Sequence, residues 1–304
     1  MSLYHSVHIG NLKVPGNLFL APVAGYSDRA FRFICKENGA DMGYTEMVSS
    51  EALTRNSEKT EGLMRKGDLE RFYAIQIFAS NADVAVRSLP KVAAMKPNLI
   101  DINCGCPVPK VLKSGCGAAL GRDPERIYEI VKALKNETDI PVSIKFRSGW
   151  DKSSLNFLQV AEEAQRAGVN AMTLHPRTRS QDYAGFADWS LIKELKKNSS
   201  VPVIGSGDLF SPEAVRDMLT ETGCDAVMIA RGSVGCPEIF TYSRELIEKG
   251  SYTPISPQTR LENALKHFNS SVKYLGANMA CKEMKKHLCA YTKGLPGSAE
   301  IRNR

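Results

Sequence analysis

The sequence predicts an α/β chain, a (β/α)8 TIM barrel followed by a small C-terminal α-helical domain. Three observations carry that expectation. Eight short apolar runs alternate with amphipathic segments up to Gly250. Beyond Gly250 the alternation stops and two helical stretches follow with no strand between them. Polar residues gather at the ends of the runs, where a barrel of this class carries its reactive groups.

The runs, in order, are NLFLAPVAG (17–25), MGYTEMVSS (42–50), FYAIQIFAS (72–80), LIDINCGCP (99–107), PVSIKFRSG (141–149), AMTLHPR (171–177), VPVIGSGD (201–208) and AVMIARG (226–232). Each is short, rich in strand-favouring residues, and closes on small or polar ones. Helices between them are announced by their ends. Asp123-Pro124-Glu125 and Ser211-Pro212-Glu213 each supply an N-cap, a proline at the first helical position and an early carboxylate on the helix dipole. Gly168 and Gly223 stand where a left-handed C-cap needs glycine. An open doubly wound sheet is the alternative, but none of the units carries a GxGxxG turn. Ser251–Pro257, with two prolines, reads as a linker, and Gln258–Leu275 and Asn278–Lys293 read as helices. The expected division is therefore a barrel over 1–250 and a helical domain over 251–304.

At 43% hydrophobic and 24% charged residues, the 304-residue chain has the composition of an ordinary globular protein. No apolar run approaches the ~18 residues of a membrane span. The N-terminus lacks a basic-then-apolar signal, so a cytoplasmic location without membrane contact is expected. In that reducing compartment the eight cysteines are read as free thiols. The net charge of +7 is concentrated: from Leu246 to Arg304 there are seven Lys, three Arg and four Glu, net +6. Such a segment favours a polyanionic partner, RNA or DNA, with a solvated helical surface as the plainer reading.

The strand-end polar residues are Gln76, Asn103, Cys106, Lys145, Arg147, His175, Arg177, Ser206-Gly207-Asp208 and Arg231-Gly232. Charge in buried strands is costly without a purpose, so together they read as one site. GSGD and ARG-Gly232 place small residues and free N–H groups near helix starts, an arrangement that cradles phosphate, to which Arg231 adds a charged contact. The stretch DINCGCPVPK (101–110) sets Cys104 and Cys106 two apart. A disulfide across one glycine would be strained, and a metal site lacks both the CxxC spacing and a nearby histidine, so no metal is expected.

Several motifs occur in family order: LAPVAGYSDRAFR (20–32), YTEMVSSEAL (44–53), QIFAS (76–80), DINCGCPVPKV (101–111), SIKFRSGW (143–150), TLHPRTRSQDYAG (173–185), VIGSGD (203–208), MIARG (228–232) and KKHLCAYTKGLPG (285–297). Over nearly the whole chain they resemble the tRNA-dihydrouridine synthases, FMN-containing flavoproteins, and within them the bacterial DusB-like branch. The resemblance implies that NADPH (or NADH) reduces FMN, and that hydride then passes to C6 of a tRNA uridine while a cysteine protonates C5. It assigns Cys106 as proton donor. It places Pro22, Val23 and Ala24 behind the flavin, Gln76, Lys145 and His175 around its ring system, and Ser206, Gly207, Asp208, Ala230 and Arg231 on its phosphate. Asn103 is assigned to flavin or uracil, and Arg177, Arg179, Lys285 and Lys286 to tRNA phosphates. A monomer is expected.

The residue types suit that chemistry. A lysine stabilises the charge of a reduced flavin, and a thiol with a reference pKa near ~8.5 is still protonated at neutral pH, as a proton donor must be. Cys104 is read as a buried filler. Departures from the family pattern are Val23 for methionine, Ser206 for asparagine and Cys104 for methionine; none removes a catalytic role. The rival functions are another FMN barrel acting on a free pyrimidine, such as a dihydroorotate dehydrogenase, and a catalytically silent RNA-binding barrel.

Overall fold

A computed structural model describes residues 2–295 and 297–303, the last three by backbone alone. Pro296 of the KKHLCAYTKGLPG motif, Arg304 and the side chain of Arg302 lie outside the described residues. The chain opens with an antiparallel hairpin, β1 (Val7–Ile9) and β2 (Leu12–Val14). The parallel strands follow: β3 (Leu18–Leu20), β4 (Met42–Tyr44), β5 (Val48–Ser49), β6 (Tyr73–Phe78), β7 (Leu99–Cys104), β8 (Val142–Arg147), β9 (Ala171–His175), β10 (Val203–Gly205) and β11 (Ala226–Ile229). β11 pairs with β3 and β4 pairs with β6, which closes the sheet. β5 continues along β6 where β4 leaves off, Gly43 facing Tyr73 and Val48 facing Ile77, so the two pieces act as one interrupted strand. Each expected run thus contributes one strand to a closed (β/α)8 barrel.

The helices on its outside are α1 (Arg29–Glu37), α2 (Ser50–Thr54), α3 (Glu58–Leu63), α4 (Ala82–Ala94) and α5 (Pro109–Lys113). Then come α6 (Pro124–Glu137), α7 (Phe157–Arg166), α8 (Trp189–Lys197), α9 (Pro212–Thr222) and α10 (Ile239–Lys249). The capping signals act as expected. Asp123 accepts from Arg126 N at the start of α6, Ser211 accepts from Ala214 N at the start of α9, and Gly223 closes α9 in the left-handed region.

Strand alternation sorts the core into two shells. Ile100, Ile102 and Cys104 point outward, into the layer between sheet and helices. Leu99 points inward with Phe19, Met42, Tyr44, Ala74 and Ala171, and the hairpin residues Val7, Ile9 and Val14 close the barrel floor beneath them. The same alternation turns Asp101 and Asn103 inward, above that floor.

After α10 the chain forms α11 (Pro257–Leu275), α12 (Ala277–Tyr291) and α13 (Ser298–Asn303). α11 packs on α12 and on α1. At that seam His267 and His287 meet edge to face, centroids 4.5 Å apart, against Phe31 of α1. Arg32 of the same helix forms a fully buried fork with Glu70, Nε to Oε1 at 2.7 Å and Nη2 to Oε2 at 3.1 Å. Nη1 also donates to Ser27 O and Nη2 to Arg65 O, so the pair's donors and acceptors are satisfied and α1 is fixed to the segment before β6. Among the described residues no helix is long and apolar enough to cross a membrane.

Candidate active site

A cavity of about 630 Å³ opens at the C-terminal ends of the strands. That is within the usual range for a small-molecule or cofactor pocket. Pro22, Val23, Ala24, Gln76, Asn103, Cys106, Lys145, His175, Arg179, Ser206, Gly207, Asp208, Ala230 and Arg231 all line it. These residues come from seven of the eight strand ends, which is why no single motif revealed the site.

Register explains the floor. Gln76 lies beside Asp101 and Asp101 beside Ser143 on adjacent strands, so their inward side chains meet. Asp101 Oδ2 accepts from Gln76 Nε2 at 2.7 Å, and Asp101 Oδ1 accepts from Ser143 Oγ at 2.5 Å. Gln76 Oε1 accepts from Asn103 Nδ2 at 2.8 Å. Asn103 Oδ1 then accepts from Gly105 N at 3.2 Å and Cys106 N at 2.9 Å. Asn103 thus has a part besides any contact to flavin or uracil: its amide oxygen organises the loop that carries Cys106.

Cys106 stands past the strand end, half-buried, while Cys104 faces the helices. Burial raises the Cys106 thiol above its ordinary pKa, opposed by the Val108 N–H and by Arg147. Arg147 Nε donates to Gly105 O at 2.9 Å, and Nη1 donates to Thr178 O and Asp182 O, each at 2.9 Å. It thereby ties the cysteine loop to the loop after β9.

Lys145 makes no hydrogen bond or ion pair among the described residues. Burial and then Arg147 lower its ammonium to about 8, with Asp101 opposing. His175 Nδ1 lies 3.2 Å from Ser206 O, which only an N–H can satisfy, so Nε2 is left as the unprotonated nitrogen. That Nε2 is buried without a partner. Burial, then Lys145 and Arg147, keep the ring far below the usual imidazole range and hence neutral.

The GSGD turn is built for close backbone approach. Gly207 has φ +133, and a Cβ there would sit 2.9 Å from Ala187 Cβ and 3.1 Å from His175 Nδ1. Facing it, a short 3-10 turn begins at Arg231, and its first N–H groups have no intrahelical partner.

Arg177 corrects an expectation. Expected from the sequence to contact a tRNA phosphate, it is 2% exposed and grips Asp208 with both terminal nitrogens at 2.8 Å. Two further donors go to Ala184 O and Gly185 O. Buried and turned onto these partners, it does not face a phosphate outside; the residue clamps Asp208, whose carboxylate is held below its usual range despite burial. Arg179 is part-exposed over Trp150, 4.9 Å from the ring centroid, and Lys285 is exposed. Lys286 turns toward the barrel, paired with Glu283 at 2.5 Å and over the Tyr26 ring.

Two residues of the floor and rim escaped the site assignment made from sequence. Asp101 sits inside the quoted DINCGCP motif, and a carboxylate in the middle of an apolar strand was the available signal. Arg147 stood among the strand-end polar residues without a role.

The dihydrouridine synthase family model matches residues 19–304. The chain is 45% identical to a probable tRNA-dihydrouridine synthase of Treponema pallidum, over 98% of this chain and 91% of that protein. It is 35% identical to tRNA-dihydrouridine synthase B of Pseudomonas aeruginosa, over 97% and 90%. Among solved structures it resembles histamine dehydrogenase from Rhizobium sp. 4-9, with TM-score 0.60, 16% identity, and coverage of 88% of this chain and 51% of that one. A 2-naphthoyl-CoA reductase complex gives TM-score 0.65, 12% identity, and coverage of 80% and 52%. The two structural likenesses bear on the barrel fold alone. The sequence matches run from the first barrel strand through the C-terminal helices, and on them the chain belongs to the dihydrouridine synthase family and is an oxidoreductase.

Proposed function

We propose that this enzyme reduces the C5=C6 bond of a uridine in tRNA to 5,6-dihydrouridine, with FMN as cofactor, NADPH or NADH as reductant and Cys106 as the proton donor. The observation that carries the reading is a free cysteine thiol held at the rim of a cavity whose floor presents unspent polar groups. Lys145 and the orphaned Nε2 of His175 fit a flavin, whose ring system offers both carbonyl acceptors and an N–H donor. Pro22, Val23 and Ala24 would back the ring, with Gln76, Lys145 and His175 at its polar edge. The backbone N–H groups at Gly207, Asp208, Ala230 and Arg231 would take its phosphate, with Arg231 as counter-charge, while Ser206, whose own N–H goes to Leu174 O, would shape the turn.

Bound FMN would supply hydride to C6 of the uracil. The chain's own part is to deliver a proton from Cys106 Sγ to C5, to hold that sulfur in reach, and to exclude water from the floor. Burial keeps the thiol protonated at neutral pH, so the group is an acid and not a thiolate nucleophile. The target base must leave its stack to enter the cavity. We assign residues 1–250 to catalysis and 251–304 to tRNA binding, with Arg179 and Lys285 on the RNA side and Lys286 at the edge of that surface. A cytoplasmic monomer fits this role.

The test is to map dihydrouridine in tRNA from cells lacking the protein, rescued by wild type or by Cys106→Ala. The purified proteins should both be yellow and release FMN on denaturation. Only wild type should restore the modification. Full restoration by the alanine variant would remove Cys106 as proton donor, and turnover of free dihydroorotate with untouched tRNA would point to the rival dehydrogenase.

A further inference from the structure

The floor of the cavity contains a hydrogen-bond chain with fixed polarity at both ends. At one end stand the N–H groups of Gly105 and Cys106, which can only donate. At the other stands Asp101, which when ionised can only accept. Two side-chain amides lie between, and each has a donor side and an acceptor side. With a donor at one end and an acceptor at the other, only one orientation satisfies every atom. Asn103 turns its oxygen to the loop and its nitrogen to Gln76; Gln76 turns its oxygen to Asn103 and its nitrogen to Asp101.

We propose that Asp101 is a positioning residue which sets the polarity of this relay and thereby fixes the loop of Cys106. The inference rests on the reading of Cys106 as the acid and adds a residue that acts on it through two others. Asp101 is wholly buried, with its second oxygen held by Ser143 Oγ, so its own orientation is fixed. Burial raises its carboxyl to about 6, opposed by Gln76, Ser143 and then Lys145 on the strand beside it, so it is mostly ionised at neutral pH. The loop is held from its other side by Arg147, whose Nε takes Gly105 O. The relay therefore decides where the Cys106 N–H points, while Arg147 limits how far the loop can move.

Polarity makes a prediction that simple packing does not. Asn103→Asp keeps the two loop acceptors but cannot donate to Gln76, so an amide oxygen faces a carboxylate. Adding Asp101→Asn reverses the whole chain. Asn at 101 donates to Gln76 Oε1, Gln76 Nε2 donates to the carboxylate at 103, and that carboxylate still accepts from Gly105 and Cys106. Ser143 then donates to the amide oxygen at 101. Every atom is again satisfied, and one buried carboxylate remains.

The experiment compares wild type, Asn103→Asp, Asp101→Asn and the double variant as purified holoenzymes. Two readouts are taken: dihydrouridine formed in single turnover on tRNA, and the pH-dependent alkylation rate of Cys106 by iodoacetamide. Peptide-resolved mass spectrometry separates Cys106 from the exposed Cys281 and Cys289. Asn103→Asp should lower single-turnover formation by roughly ten- to a hundredfold, the value of one buried charge-affected hydrogen bond. Asp101→Asn alone should cost less, because an amide at 101 can still accept from Gln76. The double variant should recover most of the loss on both readouts and match the wild-type alkylation profile. Losses that simply multiply would overturn the relay. If Asn103→Asp does not fold, the double variant must fold, and failure of both also overturns it. Recovery of alkylation without dihydrouridine formation in wild type would keep the relay and sink the proposed function. Dihydrouridine formation that needs Cys106 but shows no recovery would do the reverse.

Discussion

Lowering the pH should loosen the seam between the C-terminal helices and the barrel, and His287 gives the size of the effect. Its ring is buried between Phe31 at 5.0 Å, Tyr26 at 5.3 Å and His267 at 4.5 Å, with neither nitrogen partnered among the described residues. Burial, and then Lys286 beside it, lower its pKa from the usual 6.5 to about 3. His267 is lowered in the same direction by burial and by His287. A depressed histidine binds its proton in the unfolded chain before it does in the folded one. Its contribution is therefore complete above pH 6.5 and is lost progressively as pH falls from there toward about 3.

At pH 5 the loss spans roughly 1.5 pH units at about 1.36 kcal/mol each, or about 2 kcal/mol from His287. Asp28 and Glu46, raised mainly by burial, act in the opposite sense, so wild type alone would blur the effect. His287→Leu removes the titration and leaves those carboxyls in place. Urea unfolding of both proteins between about pH 7.5 and pH 5 should show wild type losing about 2 kcal/mol relative to the variant. A difference that stays flat across that range would mean the folded seam accepts the proton freely, and the argument from burial would fail.

Two further outcomes follow from the site. Gly117 has φ +62, and a Cβ there would lie 2.7 Å from Cys106 O and 3.1 Å from Cys106 Cβ; Gly117→Ala should displace the cysteine and reduce dihydrouridine formation by roughly tenfold or more, as a 1 Å misplacement of a reacting group can, and unchanged activity would contradict the close contact. Arg177→Ala should cost about 3–5 kcal/mol in stability and weaken FMN retention, because Asp208 loses its buried partner. The salt dependence of tRNA binding should not change, and a shallower slope would return Arg177 to the RNA surface.

Much of the barrel was legible because its signals are local. Eight apolar runs, two Pro-Glu helix starts and the glycine after α9 all report short-range chemistry, and each has a counterpart in the structure. The hairpin β1–β2 was missed, since three-residue strands such as VHI and LKV are too short for an alternation to register. The candidate residues were found, but some of their partners were not. Arg177 and Asp208 are 31 residues apart, and Arg32 and Glu70 are 38 apart. A buried arginine with its carboxylate and a solvent-facing one look identical in sequence. Asp101 differs again: period-2 alternation in LIDINC turns it inward with Asn103, which the sequence permits one to read, but its meeting with Gln76 depends on strand register.

Register also accounts for the chemistry proposed for Cys106. The inner face of the barrel rises from an apolar floor, through the neutral amides of Gln76 and Asn103, to a rim with Lys145, Arg147 and Arg231. A rim so cationic should depress a thiol, as it does for nucleophilic cysteines. Here burial raises it instead, against the opposing pull of the Val108 N–H and of Arg147. Arg147 has committed its guanidinium to the carbonyl oxygens of Gly105, Thr178 and Asp182, three dipoles whose negative ends absorb much of its field. Those bonds hold the cysteine loop in place. Positioning thus falls to Arg147 and protonation to burial, and a substitution that freed Arg147 from those carbonyls would misplace Cys106.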